Sequence, residues 1–107
     1  TIEFVNTDEQ NMNVPFTFAL NQNYPNPFNP STNITYVLPE VSIVNLIIYD
    51  LNGELIKELV SGIVRAGVHN VNWDGTNING GKVSAGMYLY TINTGKYTST
   101  NKMILLK

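Results

Sequence analysis

Apolar and polar residues alternate along several segments of the chain, which is the pattern of a β-strand with one buried face. Thr32–Leu38 alternates regularly, and Val68–Trp73 alternates so that Val71 and Trp73 share one face. Ile43–Asp50 is rich in β-branched residues and apolar on both faces, which is typical of a strand in the middle of a sheet. These three segments are therefore predicted to be strands.

Four further segments extend this pattern. Met87–Ile92 and Tyr97–Leu106 are predicted strands near the end of the chain. Pro15–Leu20 alternates weakly and is predicted as an edge strand, because proline is tolerated where a ladder begins. Glu54–Val60 follows the turn sequence Asn52-Gly53 and fits either a strand or a short amphipathic helix.

Short strands separated by turn residues indicate an all-β fold. The spacing predicts an Ig-like or fibronectin-like β-sandwich of about seven antiparallel strands over residues 16–107. Residues 1–15 lack a steady period and are expected to be a linker or an irregular arm. Trp73 is predicted to supply the large ring of the core. Tyr88 is predicted to form a corner in which its hydroxyl bonds nearby backbone.

The least regular segment is Asn21–Ser31, which contains three of the five prolines of the chain. Proline removes a backbone donor and disfavours helix in the residue before it, so this segment is predicted to be a loop. Tyr24 and Phe28 are large aromatic residues within it. We expect both side chains to pack against the core and hold the loop in place.

The composition of the chain excludes several kinds of functional site. The 107 residues include no cysteine, which excludes disulfides, thiolate metal sites and cysteine nucleophiles. The formal charge is −2 and the basic residues are scattered, so the pattern does not predict nucleic-acid binding. No apolar run reaches the ~18 residues of a membrane span. The chain begins with Thr1 and has no apolar leader, from which we expect a piece of a longer protein.

No arrangement of residues predicts an active site or a cofactor. His69 is the single histidine, lies in a predicted strand, and is expected to be exposed or half-exposed, since alone it forms neither a metal cluster nor a triad. Most carboxylates fall in turns. Asp74–Gly80 resembles a calcium loop only faintly, because Ala85 stands where a bidentate glutamate is needed, and these residue types also fill turns. We therefore expect a non-enzymatic domain without a metal.

Residues Asn23–Thr32 read N-Y-P-N-P-F-N-P-S-T, which resembles at all ten positions the opening motif of the type A C-terminal sorting domains of the bacterial type IX secretion system. The later blocks are also similar to the Ig-like module of the flagellar hook-capping protein, which lacks the proline-rich opening. Together the blocks cover about residues 16–107. They are Ile48–Gly53, Ala66–Gly75, Val83–Tyr88 and the terminal Lys102–Lys107.

This resemblance implies a non-catalytic secretion signal. Such a domain directs a larger cargo, N-terminal to it in the same chain, through the type IX machinery at the outer membrane to the cell surface or the medium. The implied partners are that machinery and the cargo, without nucleic acid and without membrane insertion. Recognition is expected in the loop and the terminal strand, whose edge can receive a partner. The expected residues are Asn26, Pro27, Phe28, Asn29, Pro30, Lys102, Met103, Ile104, Leu105, Leu106 and Lys107.

Two alternatives stand beside this interpretation. The loop can be a structural plug and the last strand simply part of the core, without a role in recognition. The domain can also be an accessory Ig-like binding module of a secreted enzyme, holding carbohydrate or docking on its parent. An exposed row of coplanar aromatic rings would favour that module. The candidate rings are Tyr24, Phe28, Tyr36, Tyr49, Trp73, Tyr88, Tyr90 and Tyr97.

Overall fold

The computed structural model describes residues 16–107, so the linker expected over residues 1–15 lies outside the described residues. The described chain consists of seven strands joined by turns and loops. They are β1 (Ala19–Leu20), β2 (Thr32–Leu38), β3 (Ser42–Tyr49), β4 (Leu55–Val64), β5 (Gly67–Trp73), β6 (Gly86–Asn93) and β7 (Thr98–Leu105). No helix in this part of the chain is long and apolar enough to cross a membrane.

The strands form two antiparallel sheets. A three-stranded sheet has the order β1-β2-β5, and a four-stranded sheet has the order β4-β3-β6-β7. β3 is central in its sheet, as its apolar pattern predicts, and β7 lies at the edge next to β6. The prediction of an all-β sandwich with about seven antiparallel strands is confirmed.

The two sheets bury one apolar core between them. Along β2 and β3 every second side chain faces inward, as expected for strands with one covered face. Trp73 is fully buried and its indole nitrogen donates to the Thr76 carbonyl at 2.9 Å. The Tyr88 ring meets Trp73 edge to face at 5.4 Å, and its hydroxyl donates to the Ser84 carbonyl at 2.6 Å. The predicted core ring and tyrosine corner are both confirmed.

The segment after Asn52-Gly53 is a strand, so the helical alternative is wrong. β4 is longer than predicted and ends at Val64. Its register with β3 shifts twice, after Leu46 and after Ile48, so that single residues of β4 are left without an opposing partner. Such bulges interrupt the period-two pattern. They explain why the sequence of β4 also fits a helix.

The first strand is shorter than predicted. The prediction was Pro15–Leu20, and among its described residues, 16–20, only Ala19 and Leu20 pair with β2, opposite Val37 and Tyr36. β2 ends one residue after Val37, at Leu38. In this register Phe18 falls opposite Leu38, and Phe16 and Thr17 lie beyond the end of β2.

Three buried tyrosines make the stability of the fold sensitive to alkaline pH. Burial raises the pKa of the Tyr36, Tyr88 and Tyr90 hydroxyls above the ordinary value of 10.0. Above pH 10 the unfolded chain therefore releases these protons while the folded chain retains them. Because the unfolded state then binds fewer protons, the free energy of unfolding falls as the pH rises.

We predict that Tyr36→Phe weakens this alkaline loss of stability. Tyr36 is 3% exposed, and its substitution removes one of the hydroxyls that resist ionisation. Urea unfolding of the wild type and the variant at pH 8, 10 and 11 measures the effect. The free energy of unfolding should fall less steeply in Tyr36→Phe. Equal slopes for the two proteins would show that this hydroxyl does not contribute.

Candidate recognition site

The ends of the proline-rich loop are tied together by two buried polar residues. Asn23 and Thr32 begin and end the ten-residue motif, and both are almost fully buried. The Asn23 side-chain amide donates to the Thr32 hydroxyl at 3.0 Å and to the Pro25 carbonyl at 3.1 Å. The Thr32 hydroxyl donates to the same Pro25 carbonyl at 2.8 Å, and the Asn23 backbone N–H donates to the Tyr90 hydroxyl at 2.8 Å. Satisfied polar groups of this kind can be buried without a large penalty.

Phe28 anchors the middle of the loop. Its side chain is 1% exposed, and its ring lies 5.7 Å from that of Trp73. Its backbone N–H donates to the Ile104 carbonyl at 3.0 Å, and its carbonyl accepts from the Leu106 N–H at 2.8 Å. The expectation that Phe28 packs against the core is confirmed.

The same expectation for Tyr24 is wrong, because its side chain is 81% exposed. Tyr24 exchanges two backbone hydrogen bonds of 2.9 Å with Asn33 and so extends the ladder beside β2. Successive side chains of an extended segment point to opposite sides. Since Asn23 points inward, Tyr24 points outward, and only its backbone holds the loop.

The loop covers the outer edge of β7 at its C-terminal end. Besides the two backbone bonds of Phe28, the Asn26 side-chain oxygen accepts from the Ile104 N–H at 3.0 Å. The Gln22 side chain donates to the Lys102 carbonyl at 2.6 Å. The edge between residues 102 and 106 is thus already bonded. The loop therefore covers the backbone edge that was expected from the sequence to be free for a partner.

The structure therefore brings the loop and the terminal strand together, but it divides the expected recognition residues into two groups. Phe28, Met103 and Leu105 are buried. Their side chains belong to the core, as the alternative of a structural plug and a core strand expects. The exposed residues are Asn26, Pro27, Asn29, Pro30, Lys102, Ile104, Leu106 and Lys107.

A surface groove opens where these segments meet. Its volume is about 240 Å³. Gly75 lies at its wall with a φ of +79°, and a Cβ atom there would approach the Pro30 carbonyl oxygen to 3.2 Å. A glycine is thus needed for this close approach. Four segments far apart in sequence line the groove: Asn29–Pro30, Asp74–Gly75, Lys82–Val83 and Leu105–Lys107.

Several residues that build the loop or line the groove do not appear among the recognition residues expected from the sequence. Asn23 and Thr32 were identifiable as the two ends of the motif, and Asp74 and Gly75 belong to a block that resembles the sorting family. Lys82 carries no sequence signal, since only the fold brings it beside the loop.

The turn that resembles a calcium loop uses its oxygen atoms for its own hydrogen bonds. The Asp74 carboxylate accepts from the Thr76 hydroxyl at 2.5 Å and from the Thr76 N–H at 3.2 Å. The hydroxyl bond is the main cause that lowers the pKa of Asp74. The Asn77 side-chain oxygen accepts from the N–H groups of Asn79 and Gly81, both at 3.0 Å. Within residues 16–107, no three His, Cys, Asp or Glu residues are grouped to hold a metal.

Most of the candidate sugar-stacking rings belong to the core. Phe28, Tyr36, Trp73, Tyr88 and Tyr90 are all buried. Of the others, Tyr97 is 36% exposed but one face of its ring stacks on Phe18, with centroids 4.6 Å apart. His69 is half-buried beside Tyr36, and its Nε2 lies 2.7 Å from the Arg65 carbonyl oxygen, which agrees with an ordinary strand position.

We predict that Phe28→Ala destabilises the domain by about 3–5 kcal/mol, because it leaves a cavity beside Trp73. Tyr24→Ala is the matched control, since it removes an aromatic ring from the same loop at an exposed position. It should change the free energy of unfolding by about 0.5 kcal/mol or less. Urea unfolding of both variants measures the difference. Similar losses in the two would contradict the separate roles of these rings.

We also predict that Asn26→Ala loosens the loop from β7 at a cost of about 1 kcal/mol, because one hydrogen bond is lost. The Ile104 amide should then exchange with deuterium faster, as followed by NMR. Asn26→Asp retains an acceptor oxygen and should protect this amide better than alanine does. Asn29→Ala, in the same loop, should leave its exchange rate unchanged. Equal exchange in all four proteins would contradict a capping role for Asn26.

Comparison with known proteins assigns the chain to a family. Residues 29–98 match the family model of the FlgD Ig-like domain. No curated protein sequence matches the chain. Among solved structures, PorU from Porphyromonas gingivalis, described as dimeric and latent, is similar with a TM-score of 0.65 and 23% identity over 87% of this chain. PorZ from the same organism, described as an essential surface component of the type IX secretion system, gives a TM-score of 0.56 and 17% identity over 80%.

FlgD from Xanthomonas campestris, whose structure concerns hook capping in flagellar assembly, has a TM-score of 0.57 and 24% identity over 84% of this chain. The chain spans only 10% of PorU, 11% of PorZ and 66% of this FlgD. At these identities the likeness shows the fold, an Ig-like sandwich that recurs within larger proteins. The family match covers more than half of the chain, and the chain therefore belongs to the FlgD Ig-like domain family.

Proposed function

We propose that this chain is a non-catalytic sorting domain that directs a cargo protein through the type IX secretion system to the cell surface or the medium. The cargo is a larger domain N-terminal to it in the same polypeptide. The receptor is a component of the secretion machinery at the outer membrane. The domain carries no cofactor, and its contribution is a folded surface that the machinery recognises.

The observation that carries this proposal is that the proline-rich loop and the terminal strand are hydrogen-bonded to each other. These are the two segments that most specifically resemble the sorting family, and 76 residues separate Phe28 from Ile104 along the chain. Backbone bonds from Phe28 to Ile104 and Leu106, with the Asn26 side-chain bond, join them into one surface. A surface built this way exists only in the folded domain, which suits a signal that is recognised only after the domain has folded.

The structural likeness to PorZ supports the proposal, because PorZ is described as a surface component of this secretion system. The likeness to PorU is the greater of the two by TM-score. These similarities concern a small part of each of those proteins. They support the idea that an Ig-like module recurs in proteins such as PorU and PorZ. The sorting role of this chain is the proposal to be tested.

An accessory Ig-like binding module is the second candidate, and the extent of the family match favours it. Residues 29–98 include β2 to β6 but leave out β1, most of the opening motif and all of β7 after Thr98. A module of that kind would dock on its parent enzyme or hold carbohydrate. It would be dispensable for export, which separates the two candidates.

We predict that export of a reporter fused to this chain in a type IX host falls at least about fivefold in the double variant Leu106→Ala/Lys107→Ala. Both residues are exposed, so the substitutions remove contact atoms from the recognition surface and spare the core. Loss of even one good interface contact of about 1–2 kcal/mol is sufficient for this effect. Reporter activity in the medium and on washed cells measures export.

The matched control is Ile63→Ala/Arg65→Ala, which truncates an apolar and a basic residue at the opposite end of the sandwich. Both double variants should unfold within about 0.5 kcal/mol of the wild type, as is usual for exposed positions. Unchanged export in Leu106→Ala/Lys107→Ala would remove these residues from recognition. Undiminished export in a host that lacks the secretion system would refute the sorting function itself.

A further inference from the structure

The groove beside the loop is of a size that suits one large side chain. Its floor and walls include Val83, Leu105 and Leu106 together with Pro30 and the backbone of Gly75. Small-molecule sites commonly have volumes of roughly 300–1,000 Å³, whereas this groove has about 240 Å³. Interfaces between proteins often centre on a single aromatic or aliphatic anchor in such a pocket.

Backbone hydrogen bonds hold the walls of the groove. The Val83 N–H donates to the Gly75 carbonyl at 3.0 Å, and the Leu106 N–H donates to the Phe28 carbonyl at 2.8 Å. Phe28 is itself buried against Trp73. A preformed pocket saves the ordering cost that otherwise weakens association.

The rim of the groove is basic, although the chain as a whole has a formal charge of −2. Lys82 and Lys107 line it, and within residues 16–107 the one ion pair joins Lys96 to Glu40, at the far end of the sheet. Asp74 is the one carboxylate side chain among the residues that line the groove, and it accepts two hydrogen bonds from Thr76. The Lys57 ammonium donates to the same Thr76 hydroxyl at 3.0 Å, which adds a third positive charge near Asp74.

We propose that this groove binds an acidic peptide segment of a partner protein, with one large apolar side chain of that segment inserted between Val83 and Leu105. The lysines of the rim pair with the carboxylates that flank the inserted side chain. This inference rests on the proposed function, because it gives the chemistry of the receptor segment that the loop and terminal strand recognise. It combines a desolvated apolar anchor with a polar, charged rim, which is the usual anatomy of a protein interface.

Three synthetic peptides, each acetylated and amidated, test the proposal by NMR titration of the isotope-labelled chain. They are GEDFDEG, which carries both an anchor and acidic flanks, GEDADEG, which lacks the anchor, and GKKFKKG, which reverses the charge. We expect GEDFDEG to bind with a dissociation constant of about 1 mM or tighter. The largest shifts should occur at the amides of Gly75, Val83 and Leu106. The other two peptides should bind at least about fivefold more weakly.

Charge reversal in the chain completes the test. Lys82→Glu/Lys107→Glu should weaken binding of GEDFDEG roughly tenfold, as expected for two exposed charge pairs that become repulsive. Arg65→Glu is the control, because it makes the same type of change at the opposite end of the sandwich. Raising the salt concentration from 50 to 500 mM should weaken binding of the wild type as well.

The proposal is overturned if GEDFDEG causes no shift at the groove up to about 5 mM, a range that covers weak peptide binding. It is also overturned if GKKFKKG binds equally well, or if Lys82→Glu/Lys107→Glu behaves like Arg65→Glu. Because these measurements involve no secretion host, failure here leaves the export experiment to decide the sorting function. Export that does not depend on the domain would refute that function whatever the peptides do.

Discussion

Burial of Phe28 beside Trp73 is the contact on which the organised end of this domain depends. Phe28 belongs to the loop that leads into β2 of the three-stranded sheet, whereas its backbone bonds to Ile104 and Leu106 at the edge of the four-stranded sheet. Burial of a phenylalanine side chain contributes about 1.5–3 kcal/mol. This contribution holds the loop over the edge of β7 and thereby forms one wall of the groove.

The hydrogen bonds around Phe28 fix the path of the loop, while burial of the Phe28 ring supplies most of the stabilising free energy. An isolated hydrogen bond contributes only about 1 kcal/mol net, but a buried polar group without a partner costs more than that. Asn23 and Thr32 are buried and bonded to each other, which fixes the two ends of the loop. With both ends and the middle held, the exposed side chains between them are presented in one arrangement. The covered edge of β7 is also protected from indiscriminate strand pairing.

Membership of the FlgD Ig-like family describes the sandwich, and the features that distinguish this chain lie at one end of it. The family match covers residues 29–98, whereas the first part of the loop and β7 after Thr98 lie outside that range. The same fold occurs in PorZ and in FlgD, which are described in different settings. A shared fold thus does not define a shared function. The function proposed for this chain depends on the surface that its two distinctive segments build together.

The periodicity of apolar residues was sufficient to predict most of the strands, because a strand with one covered face imposes a period of two on its own sequence. It predicted β2 with its observed bounds and made β3 a central strand. Where that local rule was broken, prediction was less complete. The bulges of β4 removed the strict alternation, and β1 was limited by the end of its partner strand, which its own sequence does not encode.

The sequence by itself determined the fold class, the loop, and the lack of cysteine and of clustered histidines in the chain. Only the tertiary structure decided that Phe28 is buried while Tyr24 is exposed, since both are large aromatic residues in the same proline-rich segment. It also decided that Lys82 and Lys107 line the same groove. Contacts between residues so distant along the chain depend on how two sheets pack and on which edges a loop covers. Local patterns carry no information about that arrangement.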